Sequence, residues 1–164
     1  MAKKVENISY YPIALNLNNR LAVVIGGGNV AEQKVEKLLE AKARIRVVSP
    51  ELTLRLRRLF AQRKISWISR CARSSDLRGA SIVLAATSAR GANEAVRRWG
   101  RRHKALVNAV DNPELSDFIS PAVLRVPKAI VTVYTDGRLP ELSRDLKNYL
   151  KEHWHDFLSY RRGL

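Results

Sequence analysis

The sequence predicts an α/β protein: a parallel sheet with helices on both faces, followed by a small β-hairpin plus helix module. Three observations predict it. Short apolar runs alternate with stretches of helical period from Leu21 to Asn108, the pattern of strands joined by crossover helices. The first run, Leu21 to Ile25, leads straight into Gly26-Gly27-Gly28-Asn29-Val30-Ala31. After Pro113 the alternation stops, and two strand-like segments follow with no helix between them. A hairpin accommodates that pattern and a parallel pair does not.

The chain has 164 residues, 46% of them hydrophobic, enough for one domain with an appendage. The change of pattern places the boundary between residues 1–112 and 113–164. Residues 21–25 are strand and Gly26 to Gly28 a tight turn. The next segment sets Ala31, Val35, Leu38 and Leu39 on one helical face. Ile45 to Ser49 is a second strand, stopped by Pro50. Glu51 to Gln62 reads as a basic helix with Leu52, Leu56, Leu59 and Phe60 inward. Strands follow at 65–68, 80–86 and 105–108, with a helix at 92–103 whose inward residues are Ala92, Ala95, Val96 and Trp99. Segments 117–124 and 129–134 form the hairpin. Pro140 opens one last helix, with Leu142, Leu146, Tyr149, Leu150, Trp154, Phe157 and Leu158 as its apolar stripe. Residues 10–15 read as an extended lead-in covering a sheet edge. A hairpin and one helix bury little alone, so the last module is expected to pack on a second copy, making a homodimer.

The glycine stretch fits Gly-x-Gly-x-x-Ala, the dinucleotide-binding fingerprint of Rossmann-type sheets. Gly26 permits the sharp turn, Gly28 lets a pyrophosphate approach the backbone, and Ala31 lets helix pack close to strand. Asn29 and Val30 open the helix, whose first N–H groups face the phosphates. The β-α-β context from Leu21 to Ser49 is what the fingerprint requires. Ligands of such sheets sit beyond the carboxyl ends of the strands. Four stretches converge there: Gly26 to Gly28, Ser49-Pro50-Glu51, Thr87-Ser88, and Asn108 to Asp111. Asp111 is their most conspicuous ionisable member. It can serve as a proton acceptor, or simply cap the turn before Pro113.

Charge is the unusual bulk property: 30 Lys and Arg against 15 Asp and Glu, a formal net charge of +15. Such a chain attracts polyanions, whether nucleic acid or a small polycarboxylate. The sequence carries no recognised nucleic-acid motif and no aromatic stacking platform, so a nucleic-acid reading has charge alone behind it, and no nucleic acid is expected as partner. No apolar run is long enough to cross a bilayer, so no membrane partner is expected. Residues 1–11 lack the apolar core of a signal peptide. Cys71 is the one cysteine and reads as structural filler. Together these point to a cytoplasmic protein without disulfides. His153 and His155 stand two apart, which on a helix puts their rings on different faces, so a protein-held metal is not expected.

Taken in order, these residues resemble a family. Tyr11-Pro12 precedes the first strand, and the Gly26 to Ala31 turn is followed by Lys34. Val47-Val48-Ser49-Pro50-Glu51, Ala85-Ala86-Thr87, Val107 to Leu115 (Val-Asn-Ala-Val-Asp-Asn-Pro-Glu-Leu) and Asp117 to Ala122 (Asp-Phe-Ile-Ser-Pro-Ala) follow. This order resembles the precorrin-2 dehydrogenase family, the dehydrogenase–ferrochelatase module of siroheme synthases, from about Tyr10 to Tyr149. The resemblance implies an NAD-binding Rossmann domain, a small dimerisation domain and oxidation of precorrin-2 to sirohydrochlorin with NAD+. Some members also insert Fe2+, which makes iron a candidate substrate. It places the family's functional aspartate on Asp111; Asn108, which opens the same Asn-x-Val-Asp motif, is a candidate substrate contact. Precorrin-2 carries acetate and propionate arms, for which Arg138, Arg144 and Lys147 are candidate contacts.

The resemblance breaks at one place. The family's Gly-Gly-x-Ser-Pro is Asp136-Gly137-Arg138-Leu139-Pro140 here. Leucine is a poor helix N-cap, at a cost of roughly 1 kcal/mol, and Asp136 adds a negative charge near an anionic substrate. The segment is the support for an alternative, a non-catalytic module that carries or senses a tetrapyrrole or NAD. Cofactor choice rests on Ser49 and Glu51 at the end of the second strand, with no arginine directly after them for a 2′-phosphate. The family tips this to NAD.

Overall fold

A computed structural model describes residues 10–87, 91–110 and 112–162. They fall into two compact units, one spanning Pro12–Phe118 and the other comprising residues 119–162 with the lead-in residues 10–11.

The larger unit is a five-stranded parallel sheet. Its elements are β1 (Leu21–Ile25), α1 (Asn29–Glu40), β2 (Arg44–Val48), α2 (Leu54–Ala61), β3 (Ser66–Ile68), β4 (Ala80–Ala85), α3 (Ala92–His103) and β5 (Leu106–Ala109). The strand order is β3-β2-β1-β4-β5. The order reverses at β1, which pairs in parallel with both β2 and β4. A ligand crevice opens at such a switch point.

Two apolar layers hold the helices to the sheet. On one face Ala31, Val35 and Leu38 of α1 and Leu56 of α2 pack on Ala22, Val24, Val47 and Leu84. On the other, Val96 of α3 and Leu77 pack on Val23, Ile25, Val83 and Val107. Period-two alternation along β1 sends Ala22 and Val24 to the first layer and Val23 and Ile25 to the second. At roughly 25 cal/mol per Å² of apolar surface, this double burial makes the sheet the thermodynamic centre of the chain. Gly100 carries the close approach of α3, since a Cβ there would overlap the Val107 side chain.

Several expectations are corrected. The second helix starts at Leu54, because Thr53 is its N-cap and its Oγ1 accepts from Leu56 N at 3.2 Å. Phe60 is not in the core; it is 43% exposed and meets Trp67 edge-on. The lead-in pairs with no strand among the described residues; it leaves Tyr11 and Ile13 exposed and anchors at buried Leu17. Segment 117–121 is not strand. It runs beside β5, where Asp117 N donates to Val107 O (2.7 Å), Asp117 Oδ2 accepts from Val107 N (2.9 Å) and Phe118 O accepts from Asn108 Nδ2 (2.8 Å). Side chains there replace a ladder.

One ion pair was not foreseen. Asp76 is 4% exposed and takes a two-pronged contact from Arg70, at 2.7 and 2.8 Å, plus a bond from Arg73 N. The Arg70 hydrogen bond, opposed by burial and aided by Arg73 N and Arg46, holds the Asp76 carboxyl below the usual carboxylate range.

The three α-helices of the larger unit end alike. Lys42, Arg63 and Lys104 adopt left-handed backbone, at φ 55°, 56° and 56°. Each donates three residues back, to Leu39 O, Phe60 O and Arg101 O, and its successor donates five back, to Leu38 O, Leu59 O and Gly100 O. This double bond pattern is the Schellman ending, whose left-handed position glycine fills at least cost. A side-chain-bearing residue there costs roughly 1 kcal/mol or more.

In the smaller unit, β6 (Ala122–Val126) and β7 (Ala129–Val133) pair antiparallel around Pro127-Lys128. The final apolar stripe is carried by two helices, α4 (Pro140–Glu152) and α5 (Trp154–Arg162), rather than one. The break falls at His153, whose backbone N–H and ring Nδ1 both reach Tyr149 O at 3.0 Å while its ring stacks on Tyr149. Of α4, only Ser143 is buried; Leu142, Leu146 and Tyr149 are 52%, 43% and 56% exposed.

Candidate functional site

The glycine turn closes β1 and opens α1. Gly26 has φ 119°, and a Cβ on it would overlap Ala86 O. Its N–H donates to Val48 O, and Ala86 N donates to Ile25 O. The turn is thereby wedged between the ends of β2 and β4. A Cβ on Gly27 would overlap Glu51 O and lie 2.7 Å from Ser49 Oγ. Gly28 differs: a Cβ on it would meet nothing within 4 Å, and its φ is an ordinary −86°. It is the N-cap of α1, and no side chain caps that end. The first N–H groups of the helix, at Asn29, Val30 and Ala31, have no intrahelical acceptor. Exposed Asn29 and Val30 flank this opening. An uncapped helix start beside an open glycine suits an anionic group with several acceptor oxygens.

The segment after β2 is bound to the turn. Ser49 is buried and donates from Oγ to Glu51 O at 2.6 Å. Trp67 Nε1 donates to Ser49 O and Thr53 N donates to Gly27 O, both at 2.9 Å. Thr53 Oγ1 donates to Glu32 Oε2 at 2.6 Å, joining α1 to α2. Pro50 and Glu51 stay exposed in this segment.

Thr87 follows β4 beside Gly26 and is half-buried. Ser88 and Asp111 lie outside the described residues. The chain on either side of Asp111 is tightly held. Val110 N donates to Ala85 O (3.0 Å) and Asn112 N to Ala109 O (3.1 Å). Ser116 Oγ takes Ala109 N at 2.9 Å and lies 2.9 Å from Asn112 O. Asn108, 6% exposed, spends its amide N–H on Phe118 O, while its Oδ1 is buried with no hydrogen-bond partner. An orphaned acceptor at a strand's carboxyl end is a place for a ligand donor.

The structure therefore gathers Gly26, Gly28, Asn29, Val30, Ser49, Pro50, Glu51, Thr87 and Asn108 on the carboxyl edge of one sheet. Gly27, Thr53 and Ser116 were missed. The third glycine of the run was the one available signal for Gly27. Thr53 and Ser116 act through partners distant in sequence and gave none.

Arg138, Arg144 and Lys147 belong to the smaller unit. Arg138 and Arg144 are exposed; Lys147 is half-buried, and Arg144 contacts Asp145 at 3.3 Å. The unusual stretch before α4 has a simple geometry. Asp136 and Gly137 both have left-handed backbone, φ 51° and 73°. That accounts for paired glycines in the pattern it departs from, and aspartate is among the residues that tolerate this region best. Leu139 caps nothing, but Thr135 Oγ1 accepts from Leu139 N at 3.0 Å and lies 3.3 Å from Ser143 Oγ. The threonine supplies the acceptor that the leucine lacks. Tyr10, in the same unit, has its hydroxyl pKa raised, first by burial and then by Asp136.

Among the described residues no group of three His, Cys, Asp or Glu side chains is placed to hold a metal ion, and no helix is long and apolar enough to cross a membrane.

Comparison with known proteins agrees with this geometry. The siroheme synthase of Nitrosomonas eutropha is 39% identical over 145 residues, covering 88% of this chain and 30% of the relative. Siroheme synthase 3 of Aeromonas hydrophila is 35% identical over 144 residues, covering 88% and 31%. The chain thus spans about 30% of the length of the curated relatives it matches. Among solved structures, SirC, a precorrin-2 dehydrogenase, shares the fold with a TM-score of 0.75 at 23% identity, over 88% of this chain and 71% of the other. A family model described as "Putative NAD(P)-binding" matches residues 13–122, which takes in the whole parallel sheet and the glycine turn. The chain belongs to this NAD(P)-binding family.

Proposed function

We propose that the chain oxidises precorrin-2 to sirohydrochlorin with NAD+ as the hydride acceptor. The observation that carries the reading is the Gly26–Ala31 turn, open at Gly28 and uncapped, on the sheet edge of a chain that matches siroheme synthases across 88% of its length. When bound, the nicotinamide supplies a two-electron acceptor for the hydride.

The chain's own residues do the rest. The helix N–H groups at Asn29 to Ala31 hold the pyrophosphate. Ser49, Pro50 and Glu51 set the adenosine end. Glu51 is an exposed carboxylate; it can accept from a ribose hydroxyl and repels a 2′-phosphate, which favours NAD over NADP. Thr87 at the end of β4 and Ser88 after it in sequence contribute to the cofactor site. Asp111 takes the proton that leaves precorrin-2 as the hydride departs, and the chain on either side of it is held by the bonds of Val110, Asn112 and Ser116. The orphaned Asn108 Oδ1 accepts from a bound N–H donor. Arg138, Arg144 and Lys147 pair with the carboxylate arms of the substrate.

The exposed Leu142, Leu146 and Tyr149 on α4, with Phe157 on α5, support a homodimer through the smaller unit. The backbone at Asp136 and the acceptor from Thr135 account for the altered segment, which removes the main support for a non-catalytic carrier.

The test is direct. Mixed with precorrin-2 and NAD+, the protein should form NADH and the sirohydrochlorin spectrum together. Dinucleotide binding without turnover would leave only the carrier reading. Fe2+ added afterwards tests iron as a second substrate, by insertion faster than the uncatalysed control.

A further inference from the structure

Every strand of the parallel sheet is entered through a cation. Arg20 precedes β1, Lys42 precedes β2 and Arg44 begins it, Arg63 and Lys64 precede β3, Arg78 precedes β4, and Arg101, Arg102 and Lys104 precede β5. All nine side chains are exposed. In a parallel sheet these entry points share one edge, opposite the carboxyl edge that carries the glycine turn. With neighbouring strands ~4.8 Å apart, five strands set the row over roughly 20 Å. Glu40, at the end of α1, is an acidic residue of the same edge and is already engaged in an interaction of its own.

Two ordinary explanations do not cover this row. Cations at helix C-termini complement the helix dipole, which accounts for Arg101 and Arg102 in the last turn of α3. Arg20 and Arg44 close no helix, and Arg78 closes only the single 3-10 turn Ser74–Leu77. The glycine turn lies at the opposite edge, some five residues of strand or roughly 16 Å away, so an anionic ligand held there does not account for the row. Lys42, Arg63 and Lys104 go further. They hold the left-handed position of three Schellman endings, where glycine would be the more stable choice. The same charge is kept three times at a backbone site that disfavours it.

We propose that this amino-terminal sheet edge is a sequence-independent docking surface for the phosphodiester backbone of a nucleic acid. Arginine supplies six of the nine cations counted above, and its planar fork of donors matches phosphate. A protein partner would need an apolar centre to its interface. Exposed apolar side chains by this edge are scattered: Phe60 of α2 and Leu106 of β5 stand by the outer strands β3 and β5, and Leu15 lies in the lead-in five residues before Arg20. Charge complementarity to a regular polyanion is what the edge offers. The inference does not rest on the reaction proposed above, because it uses the other end of the sheet.

The full chain is titrated against a short fluorescent DNA duplex of random sequence, at several salt concentrations, with thermal unfolding in parallel. The duplex should bind and weaken steeply with salt. The variant K42G/R63G/K104G should unfold at or above the wild-type temperature, bind the duplex at least about tenfold more weakly and lose about 2–3 from the log–log salt slope, near 0.9 per phosphate contact. R20Q/R44Q/R78Q, which alters no left-handed residue, should weaken binding likewise. K151Q/R161Q/R162Q, with the same charge change in the smaller unit, should bind like wild type, and saturating NAD+ should not displace the duplex. Wild-type binding by both edge variants, equal loss in the control variant, displacement by NAD+, or preference for polyglutamate or for phosphatidylglycerol vesicles would each overturn the proposal.

Discussion

Gly27 and Gly28 are neighbours with opposite demands, and a methyl on each separates folding from binding. On Gly27 the new Cβ would overlap Glu51 O and stand 2.7 Å from Ser49 Oγ and 3.0 Å from the Glu51 carbonyl carbon. The obstruction is backbone, pinned by Thr53 N to Gly27 O and by Ser49 Oγ to Glu51 O, so it cannot rotate away as a side chain could. Overpacking of this kind costs about 1–3 kcal/mol, and losing the Ser49 bond adds about 1 kcal/mol. Gly27→Ala should therefore lose about 2–4 kcal/mol, a fall in Tm of roughly 5–15 °C for a chain of this size. On Gly28 the methyl meets nothing within 4 Å and the backbone is one that alanine adopts readily. Gly28→Ala should keep wild-type stability within about 1 kcal/mol. The same methyl enters the space through which a pyrophosphate reaches the α1 N–H groups, so dinucleotide affinity should fall at least about tenfold, about 1.4 kcal/mol. Thermal unfolding and calorimetric titration with NAD+ read the two effects separately. Wild-type dinucleotide affinity in a folded Gly28→Ala variant, or wild-type stability in Gly27→Ala, would refute this division of roles.

Other outcomes follow from the same contacts. Asp111→Ala should abolish sirohydrochlorin formation while leaving Tm and dinucleotide affinity unchanged; turnover at the wild-type rate would show that the proton goes elsewhere. Arg70 holds the Asp76 carboxyl below its ordinary range, so the stability Asp76 adds is present above the unfolded value, about 3.9, and is lost as pH falls through the lower folded value. Asp76→Asn should cost about 1–3 kcal/mol near neutrality and flatten the acid limb of the stability curve; urea unfolding across that range checks it, and parallel acid limbs would contradict the sign. Leu142→Asp with Leu146→Asp should convert a dimer to a monomer in light scattering, and a wild-type chain that is monomeric at working concentration would end the homodimer proposal.

What could be read in advance depended on whether a residue acts locally. Strand 21–25 and helix 92–103 form where their periodicity places them, because alternation and helical period are written within the segment. The Gly26 turn was legible for the same reason. Thr53 was not, since its work as a cap competes with an apolar pattern that already begins at Leu52. Segment 117–121 has strand-like composition, but Asp117 and Asn108 bind across to backbone by side chain and take the place of the ladder. Gly27 owes its size limit to Glu51, twenty-four positions on, and Asp76 owes its burial to Arg70 and Arg46 on another strand and loop. Such pairings exist only once the sheet has assembled.

The altered stretch before α4 shows how a local rule can fail without harm. Sequence alone makes Leu139 a bad cap and Asp136 a misplaced charge. In the fold, the position of Asp136 is defined first by its backbone, φ 51°, and glycine is only the cheapest way to fill it. Aspartate is among the residues that tolerate it best, and its carboxylate adds to burial, the larger cause, in raising the Tyr10 hydroxyl pKa. The missing cap is met from Thr135, four residues before Leu139, through a hydroxyl that also faces buried Ser143. The acceptor has moved along the chain while the helix start has not. Thr135→Val should therefore destabilise α4 by about 1 kcal/mol, and Leu139→Ser, which restores an acceptor at the cap, should recover most of that loss. If Thr135→Val unfolded at the wild-type temperature, the hydroxyl would be idle and Pro140 alone would set where the helix begins.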